Sequence, residues 1–499
     1  MNAAGGRVGS RPVDPSLPRV PLGAVAAAVG ATLRGDPSAT VSDASYDSRG
    51  SVAGSLFFCV RGQNEDGHAH AAAAVAAGAA ALVVERPLDI DVPQLLVASV
   101  RAAMGPASAV VFGEPSSSMK MVGVTGTNGK TTITYLLEAI FEASGSKPGV
   151  IGTTGARIAG VTQELDRTTP EAPDLHRLLA RMRQDGVQAV AMEVSSHALA
   201  QERVGGIVQD VAVFTNLSQD HLDFHPTMED YFAAKARLFT PELAAAGWVN
   251  SDDEWGRRLL GSPAIPLRTF GVEGTADLIA EEVRTDARGI SFSVSGIEVS
   301  SSLRGGFNVS NCLAAIAAAK GLGIEEPVSA RAIAGVRGVP GRMEAVDAGQ
   351  DFLVVVDYAH TPDSILNVLR GARPLAAGRV IVVFGCGGDR DHAKRSLMGR
   401  AATSSADLTI VTSDNPRSED PEAIIEDITA GARQGGGEFL VEPDRRAAIS
   451  EALRTARPGD VVVIAGKGHE TYQEIGDRRV PFDDRVVARQ ALEALGGRS

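Results

Sequence analysis

Apolar, β-branched runs alternate with stretches of helical periodicity along most of this chain, the pattern of an α/β fold built on largely parallel sheets. Three blocks separate. The first, residues 21–98, holds short strand-like runs such as 55–60. Its low-polarity stretch 71–84 is too short for a membrane span and is broken by Gly78, which predicts a buried helix running into a strand. The second block, 99–342, opens on an Ala/Ser/Pro stretch and then the strand 121–125. In the third block, 343–499, apolar strands run straight into polar loops: 353–356 into 357–360, Val380–Phe384 into 385–391, Leu408–Val411 into 413–417, and Val461–Ala465 into 466–470. Ligands of open parallel sheets bind beyond the carboxyl ends of the strands, so these loops are expected to line one site. Residues 1–20, rich in Gly, Pro, Ser and Arg and without an apolar signal core, read as a disordered extension.

Composition supports this division. A chain of 499 residues, 44% of them hydrophobic, is long enough for about three domains. Against 48 Lys+Arg stand 61 Asp+Glu, a formal charge of −13 that argues against a broad nucleic-acid-binding face and leaves anionic ligands to local basic sites. Cys59, Cys312 and Cys386 lie far apart without metal-ligand spacing, so neither a disulfide framework nor a zinc site is indicated, and a reducing cytoplasm fits. No membrane span is expected.

The strongest chemical motif is Gly126-Thr127-Asn128-Gly129-Lys130-Thr131-Thr132. Glycines let backbone N–H groups curl around phosphate oxygens, a lysine supplies point charge, and a hydroxyl can ligate Mg²⁺. Ile133, Leu136, Leu137, Ile140 and Phe141 follow at helical spacing, so the loop opens a helix whose N-terminus attracts anions. The Walker pattern asks for Gly at 124, where this chain has Val, and the loop is therefore a variant.

Two further strand ends of this block carry metal-competent groups: Glu193 closes 190–193, and His221 lies just beyond 211–217. Oxygen ligands suit Mg²⁺, whereas the residues alone leave His221 open between metal ligand and loop-stabilising hydrogen bonder. Lys235 falls on one helical face with Tyr231, Phe232 and Phe239. Dehydration there would lower its pKa and permit carbamylation by CO₂; alternatively its stem packs on the rings while its head reaches water.

Together these residues resemble the Mur ligases, the ATP-dependent carboxylate–amine ligases of bacterial cell-wall precursor synthesis, over nearly the whole chain after the extension. The resemblance implies three domains: an N-terminal uridine-binding α/β domain, a central P-loop ATPase-type parallel-sheet domain and a C-terminal Rossmann-like domain. It implies an acyl phosphate formed by ATP on a D-glutamate carboxylate and captured by an amine. Lys130 would neutralise phosphate charge, Thr131 and Glu193 would hold one Mg²⁺, and His221 with carbamylated Lys235 would help place a second. Asn308, Arg342 and Asp357 would complete the ATP site. Tyr46, Ser48, Gln63, Asn64, Glu65, Thr168, Thr169, Ser195, Gln201 and Arg203 would contact a UDP-muramoyl dipeptide. The triplet 63–65 departs from familiar members and also reads as ordinary loop polarity.

The third block carries Asp414-Asn415-Pro416-Arg417, similar to the motif that goes with meso-diaminopimelate as the incoming amine. Diaminopimelate exceeds lysine by one carboxylate, which an arginine fork can bind bidentately. Arg390, Gly466 and Glu470 would supply the other contacts, Glu470 to the distal ammonium. Asp-Asn-Pro is also common turn chemistry. The expected partners are small molecules only, and a monomer is expected. Competing readings are a lysine-adding ligase, a folylpolyglutamate synthetase, and a nucleotide-driven switch or motor; the absence of an Asn-Lys-x-Asp motif disfavours a GTPase.

Overall fold

The computed structural model describes residues 18–62, 65–158, 160–286 and 288–496. Three large sheets, of five, nine and six strands, follow one another along the described residues. In the first, the strands run in the order Thr32–Arg34, Gln94–Leu96, Ala81–Val84, Ser55–Phe58, Asp43–Ser45, parallel except for the antiparallel edge Thr32–Arg34. The low-polarity stretch divides as its glycine suggests, into the helix Ala71–Ala76 and the buried strand Ala81–Val84. One expectation changes here. Val20, assigned to the extension, pairs with Val41 in a short antiparallel ladder, while residues 1–17 lie outside the described residues. The Ala/Ser/Pro stretch after residue 98 is a helix, Val100–Val111, because Ser99 Oγ accepts from the N–H of Ala102 and an apolar stripe of Val100, Ala103, Met104, Ala107 and Val111 is buried. That stripe packs on the first sheet's core with Leu22, Val25 and Phe58.

The central sheet has nine strands, and Lys120–Thr125 lies in its middle between Ala189–Glu193 and Val211–Phe214, parallel to both. Burial on both faces explains why these strands read as unbroken apolar runs. The same geometry brings the carboxyl ends of three strands together, each running into a segment with polar chemistry. A separate antiparallel sheet, Glu281–Asp286, Gly289–Val294 and Ile297–Ser301, adds Ile290, Phe292, Val294 and Val299 to the central core.

The C-terminal sheet orders Glu344–Ala345, Leu353–Asp357, Val461–Ala465, Val380–Phe384, Leu408–Val411 and Glu438–Val441, antiparallel only at its first edge. Its carboxyl edge is braced by a wholly buried ion pair. Arg445 donates from Nε and Nη2 to the Asp484 carboxylate at 2.8 and 2.7 Å, and Nη2 also donates to the carbonyl of Ala465 at 2.8 Å. One guanidinium thus ties two helices to a strand end.

A buried pair is costly to break because the survivor keeps its charge without a partner. Asp484→Ala is expected to lower the stability of the C-terminal unit by about 3–5 kcal/mol, whereas Arg445→Met combined with Asp484→Leu costs less than either single change. Denaturant unfolding followed by probes placed in this unit measures both. Equal losses in the single and double variants would contradict this account.

Candidate active site

The strand Lys120–Thr125 delivers its loop directly into the helix Lys130–Ala143. Gly126 sits at φ 143°, where a Cβ would fall 1.8 Å from Thr215 Oγ1, so the loop can lie this close to the neighbouring strand end only with glycine. Lys130 Nζ donates to the carbonyls of Gly126 and Thr127, each at 2.8 Å. Lys235 Nζ donates to the same Gly126 carbonyl, also at 2.8 Å. Thr131 and Thr132 are buried in the first helical turn.

Lys235 is 1% exposed, so its head does not reach water as the alternative reading required. Burial, with the nearby charge of Lys130, drives its pKa well below the ordinary lysine range, against the pull of Asp220. Its Nζ lies 4.6 Å from the centroid of Tyr231. The Tyr231 hydroxyl is 3.2 Å from Thr127 Oγ1, which donates to the carbonyl of Ser218 and accepts from the Ser218 N–H. The single proton of Thr127 is therefore committed and Tyr231 is the donor. Tyr231 joins the lysine helix, the loop and the segment leading to His221.

Glu193 is fully inside, accepting from the Thr153 N–H at 2.9 Å and its hydroxyl at 3.0 Å. Beside it Thr169 Oγ1 donates to the Glu193 carbonyl and accepts from Ser195 N–H, and Thr168 Oγ1 lies 3.1 Å from Thr153 Oγ1. Arg203 belongs to this cluster, bonding the carbonyl of Thr169 and the side chain of Gln201. Its charge is matched internally: Glu171 Oε1 is 3.0 Å from Arg203 Nε, and Glu171 Oε2 accepts from Arg101 at 2.7 Å.

His221 stands at φ 55° with Nε2 3.4 Å from the Asp220 carboxylate. Burial takes its pKa down to about 3, so the imidazole is neutral and able to donate a lone pair. His197 packs edge-on against it at 4.7 Å. Burial alone would raise the Asp220 carboxyl, but the neighbouring His221 and His360 imidazoles, Lys394 and the N–H that His221 donates to it bring it to about 2.

The third unit closes on this loop. Arg342 Nη2 donates to Thr131 Oγ1 at 3.0 Å while its guanidinium lies over Tyr358, and Asn128 Nδ2 donates to Asp363 at 3.1 Å. Asp357 accepts from the N–H groups of Met343 and Ala359, so its carboxylate organises the inter-unit strand end. Asn308 bonds the Arg304 carbonyl and accepts from Asn311.

The loops after the C-terminal strands converge as expected. Glu470 Oε2 accepts from Asn415 Nδ2 at 2.9 Å and from the buried Lys467 at 3.0 Å, while Lys467 also donates to Asn415 Oδ1. Gly466, at φ 113°, leaves room for Asp414, whose carboxylate would be 2.5 Å from a Cβ. The carbonyl of Pro416 crosses close over Gly388. Arg417 Nη1 donates to the Gly388 carbonyl at 2.6 Å. Arg390 is exposed at the rim.

In the first unit Tyr46 reaches across to Asp174 at 3.0 Å, and Ser48 opens a 3₁₀ turn capped by Asp47. Glu65 pairs with His70 at 2.9 Å, and Gln63 and Asn64 lie outside the described residues. Sequence reasoning missed Thr153, Lys467, Asp363 and the part played by Tyr231. Only Lys467 carried a local signal, its place between two glycines at a strand end.

The hydroxyl of Thr131, which accepts from Arg342, and the carboxylate of Glu193, which accepts from Thr153, are oxygen donors of the kind taken by a hard cation such as Mg²⁺, which keeps several waters and substrate phosphates in its shell. Among the described residues no group of three His, Cys, Asp or Glu side chains forms a metal cage, and no helix is long and apolar enough to cross a membrane.

Three family descriptions match this chain: Mur ligase family, catalytic domain, at residues 40–111; Mur ligase middle domain at 124–319; and Mur ligase, glutamate ligase domain, at 341–468. A protein of Geobacillus kaustophilus named UDP-N-acetylmuramoyl-L-alanyl-D-glutamate–2,6-diaminopimelate ligase is 48% identical, over 90% of this chain and 94% of its own length. One of the same name from Streptomyces avermitilis is 45% identical over 96% and 97%. Among solved structures, one described by that enzyme name superposes with a TM-score of 0.70 at 35% identity, covering 96% of this chain and all of the other. A folylpolyglutamate synthase of Mycobacterium tuberculosis, at 18% identity and a TM-score of 0.61, shares the fold. On sequence and on fold, this chain belongs to the Mur ligase family.

Proposed function

We propose that this chain joins meso-diaminopimelate to UDP-N-acetylmuramoyl-L-alanyl-D-glutamate at the expense of ATP, as a monomer in the cytoplasm during peptidoglycan precursor synthesis. The observation that carries this reading is that Glu470 and Arg417 are both tied to Asn415, Glu470 by accepting from its amide and Arg417 through Glu474, whose N–H donates to the Asn415 oxygen; the two offer an anion and a cation to an amino acid that carries both charges at its far end. The relatives that share most of its length bear the name of this activity. Three units divide the work: the first takes the uridine, the second ATP, the third the amine.

In this reading the D-glutamate carboxylate attacks the γ-phosphorus and ADP departs, leaving an acyl phosphate. The amine of diaminopimelate then attacks the acyl carbon, phosphate leaves with the former carboxylate oxygen, and one amine proton is lost. Lys130 exchanges its loop carbonyls for β- and γ-phosphate oxygens, stabilising charge as it develops. Asn128, Thr127, Gly126 and Gly129 present the loop backbone, with Asn308, Arg342 and Asp357 closing the nucleotide site. Thr131, Glu193, His221 and carbamylated Lys235 would hold Mg²⁺, which supplies positive charge to the transferring phosphoryl group. Tyr46, Ser48, Thr168, Thr169, Ser195, Gln201 and Arg203 would contact the nucleotide-sugar peptide, Arg203 acting as a structural anchor for Thr169 as well as a cation. Arg390 guards the entrance to the amine pocket, and Asp414 and Pro416 shape it.

Three outcomes test this reading. Lys130→Ala abolishes ATP-dependent ligation with the fold retained; near-normal turnover in a folded variant would remove the loop from the mechanism. Lys235→Ala loses activity, and a short carboxylate such as formate restores part of it by standing in for the carbamate; wild-type enzyme labelled with ¹³CO₂ shows a carbamate resonance that the variant lacks. Failure of both the rescue and the resonance would refute the carbamate.

Arg417→Ala raises the Michaelis constant for meso-diaminopimelate by roughly two orders of magnitude, the scale of a lost charge-assisted bidentate contact, with those for ATP and the UDP-muramoyl dipeptide little changed. Lysine need not become a good substrate, since Glu470 and the pocket shape remain. A wild type that prefers lysine, or an unchanged ratio of efficiencies in the variant, would favour the lysine-adding reading.

A further inference from the structure

Arg417 is held in a strained and closely fixed position. Its backbone lies at φ 51°, in the left-handed region that a β-carbon disfavours. Its N–H donates to the carbonyl of Glu474 at 3.0 Å, and its own carbonyl accepts from the N–H of Gly476 at 2.7 Å. These bonds clamp it to the hairpin Tyr472–Ile475 and Arg478–Pro481, an element with no counterpart in the sheet. The clamp continues through side chains. Glu474 Oε2 accepts from Arg417 Nε at 3.0 Å, and Glu474 Oε1 accepts from Arg479 Nε at 3.1 Å. The N–H of Glu474 donates to Asn415 Oδ1 at 3.1 Å, tying the hairpin to the same asparagine that holds Glu470.

A guanidinium has five donors in one plane and can grip a carboxylate by its Nη1–Nη2 end or by its Nε–Nη2 side. Glu474 takes the Nε donor and thereby closes the side. The Gly388 carbonyl takes one proton of Nη1, which leaves the Nη end as the remaining bidentate face. Charge points the same way: one carboxylate between two guanidiniums leaves a single positive charge, the complement of one carboxylate.

We propose that Glu474 is a positioning residue for amine specificity, turning Arg417 so that its Nη end meets the distal carboxylate of the incoming amino acid. This rests on the assignment of Arg417 to that carboxylate. Without Glu474 the guanidinium regains rotation about its long side chain, and the ligand must then pay for ordering it.

Steady-state phosphate release by the full-length enzyme tests this. Glu474→Ala raises the Michaelis constant for meso-diaminopimelate about tenfold, the scale of one lost hydrogen bond to a charged group. The turnover number and the constants for ATP and the UDP-muramoyl dipeptide stay within about twofold, and so does the efficiency with lysine, which lacks the second carboxylate. Glu474→Gln, whose amide oxygen still accepts from Nε, falls between Glu474→Ala and wild type. Adding Glu474→Ala to Arg417→Ala changes nothing further if the glutamate acts through the arginine. An unchanged diaminopimelate constant in a wild type that prefers diaminopimelate overturns this inference alone. A parallel rise for all three substrates, or for lysine, with a lowered melting temperature shows a merely structural role and overturns it too. A wild type that prefers lysine overturns the functional reading and this inference with it.

Discussion

Two lysine ammonium groups share one acceptor, the carbonyl of Gly126, each at 2.8 Å. Two positive charges roughly 5 Å apart would repel by roughly 3 kcal/mol at an effective dielectric constant of about 20, and this repulsion joins burial in lowering the pKa of Lys235. The arrangement is sustained by what surrounds it: Asp220 held ionised by three cationic or imidazole neighbours, Glu193 fixed by two bonds from Thr153, and a Tyr231 ring against the second amine. A site with this surplus of positive charge is built for a polyanion. Losing the Lys235 proton, or converting that amine to an anion, relieves the same repulsion.

The remainder of the molecule serves that loop. The central sheet places three strand ends around it, and the third unit reaches it through Arg342 and Asp363, so the loop is contacted from two units at once. At the carboxyl edge of the third unit's sheet, the buried Arg445–Asp484 pair braces the strand end from which the loop of Lys467 and Glu470 departs. Among these loops opposite charges are interleaved, Lys467 with Glu470, and Arg417 with Glu474 and Arg479, so each charge is held in direction by a neighbour of opposite sign.

Local patterns made much of this legible. The loop 126–132 declares itself because phosphate binding uses contiguous backbone N–H groups, so its whole chemistry lies within seven residues. The four C-terminal loops were readable as a set because parallel strands put their carboxyl ends on one edge. The helix Val100–Val111 carries no structural expectation from the sequence, since Ala, Ser and an internal proline give little local signal, and its buried stripe packs against Leu22 and Phe58. Lys235 was ambiguous on pattern alone, because a helical face says which side chains are neighbours but not whether water reaches them.

The sequence by itself determined the α/β class, the order of the three blocks, the phosphate loop and the Asp-Asn-Pro-Arg turn, all of which depend on residues near one another along the chain. Tertiary structure decided the rest. That Lys235 points at Gly126, that Arg203 is matched by Glu171, that Asn128 meets Asp363, and that Glu474 orients Arg417 are contacts between residues 32 to 235 positions apart, or 57 in the last case. Such contacts leave no periodic trace in the chain, because they depend on which loops the sheets bring to one edge and on how much water that convergence excludes.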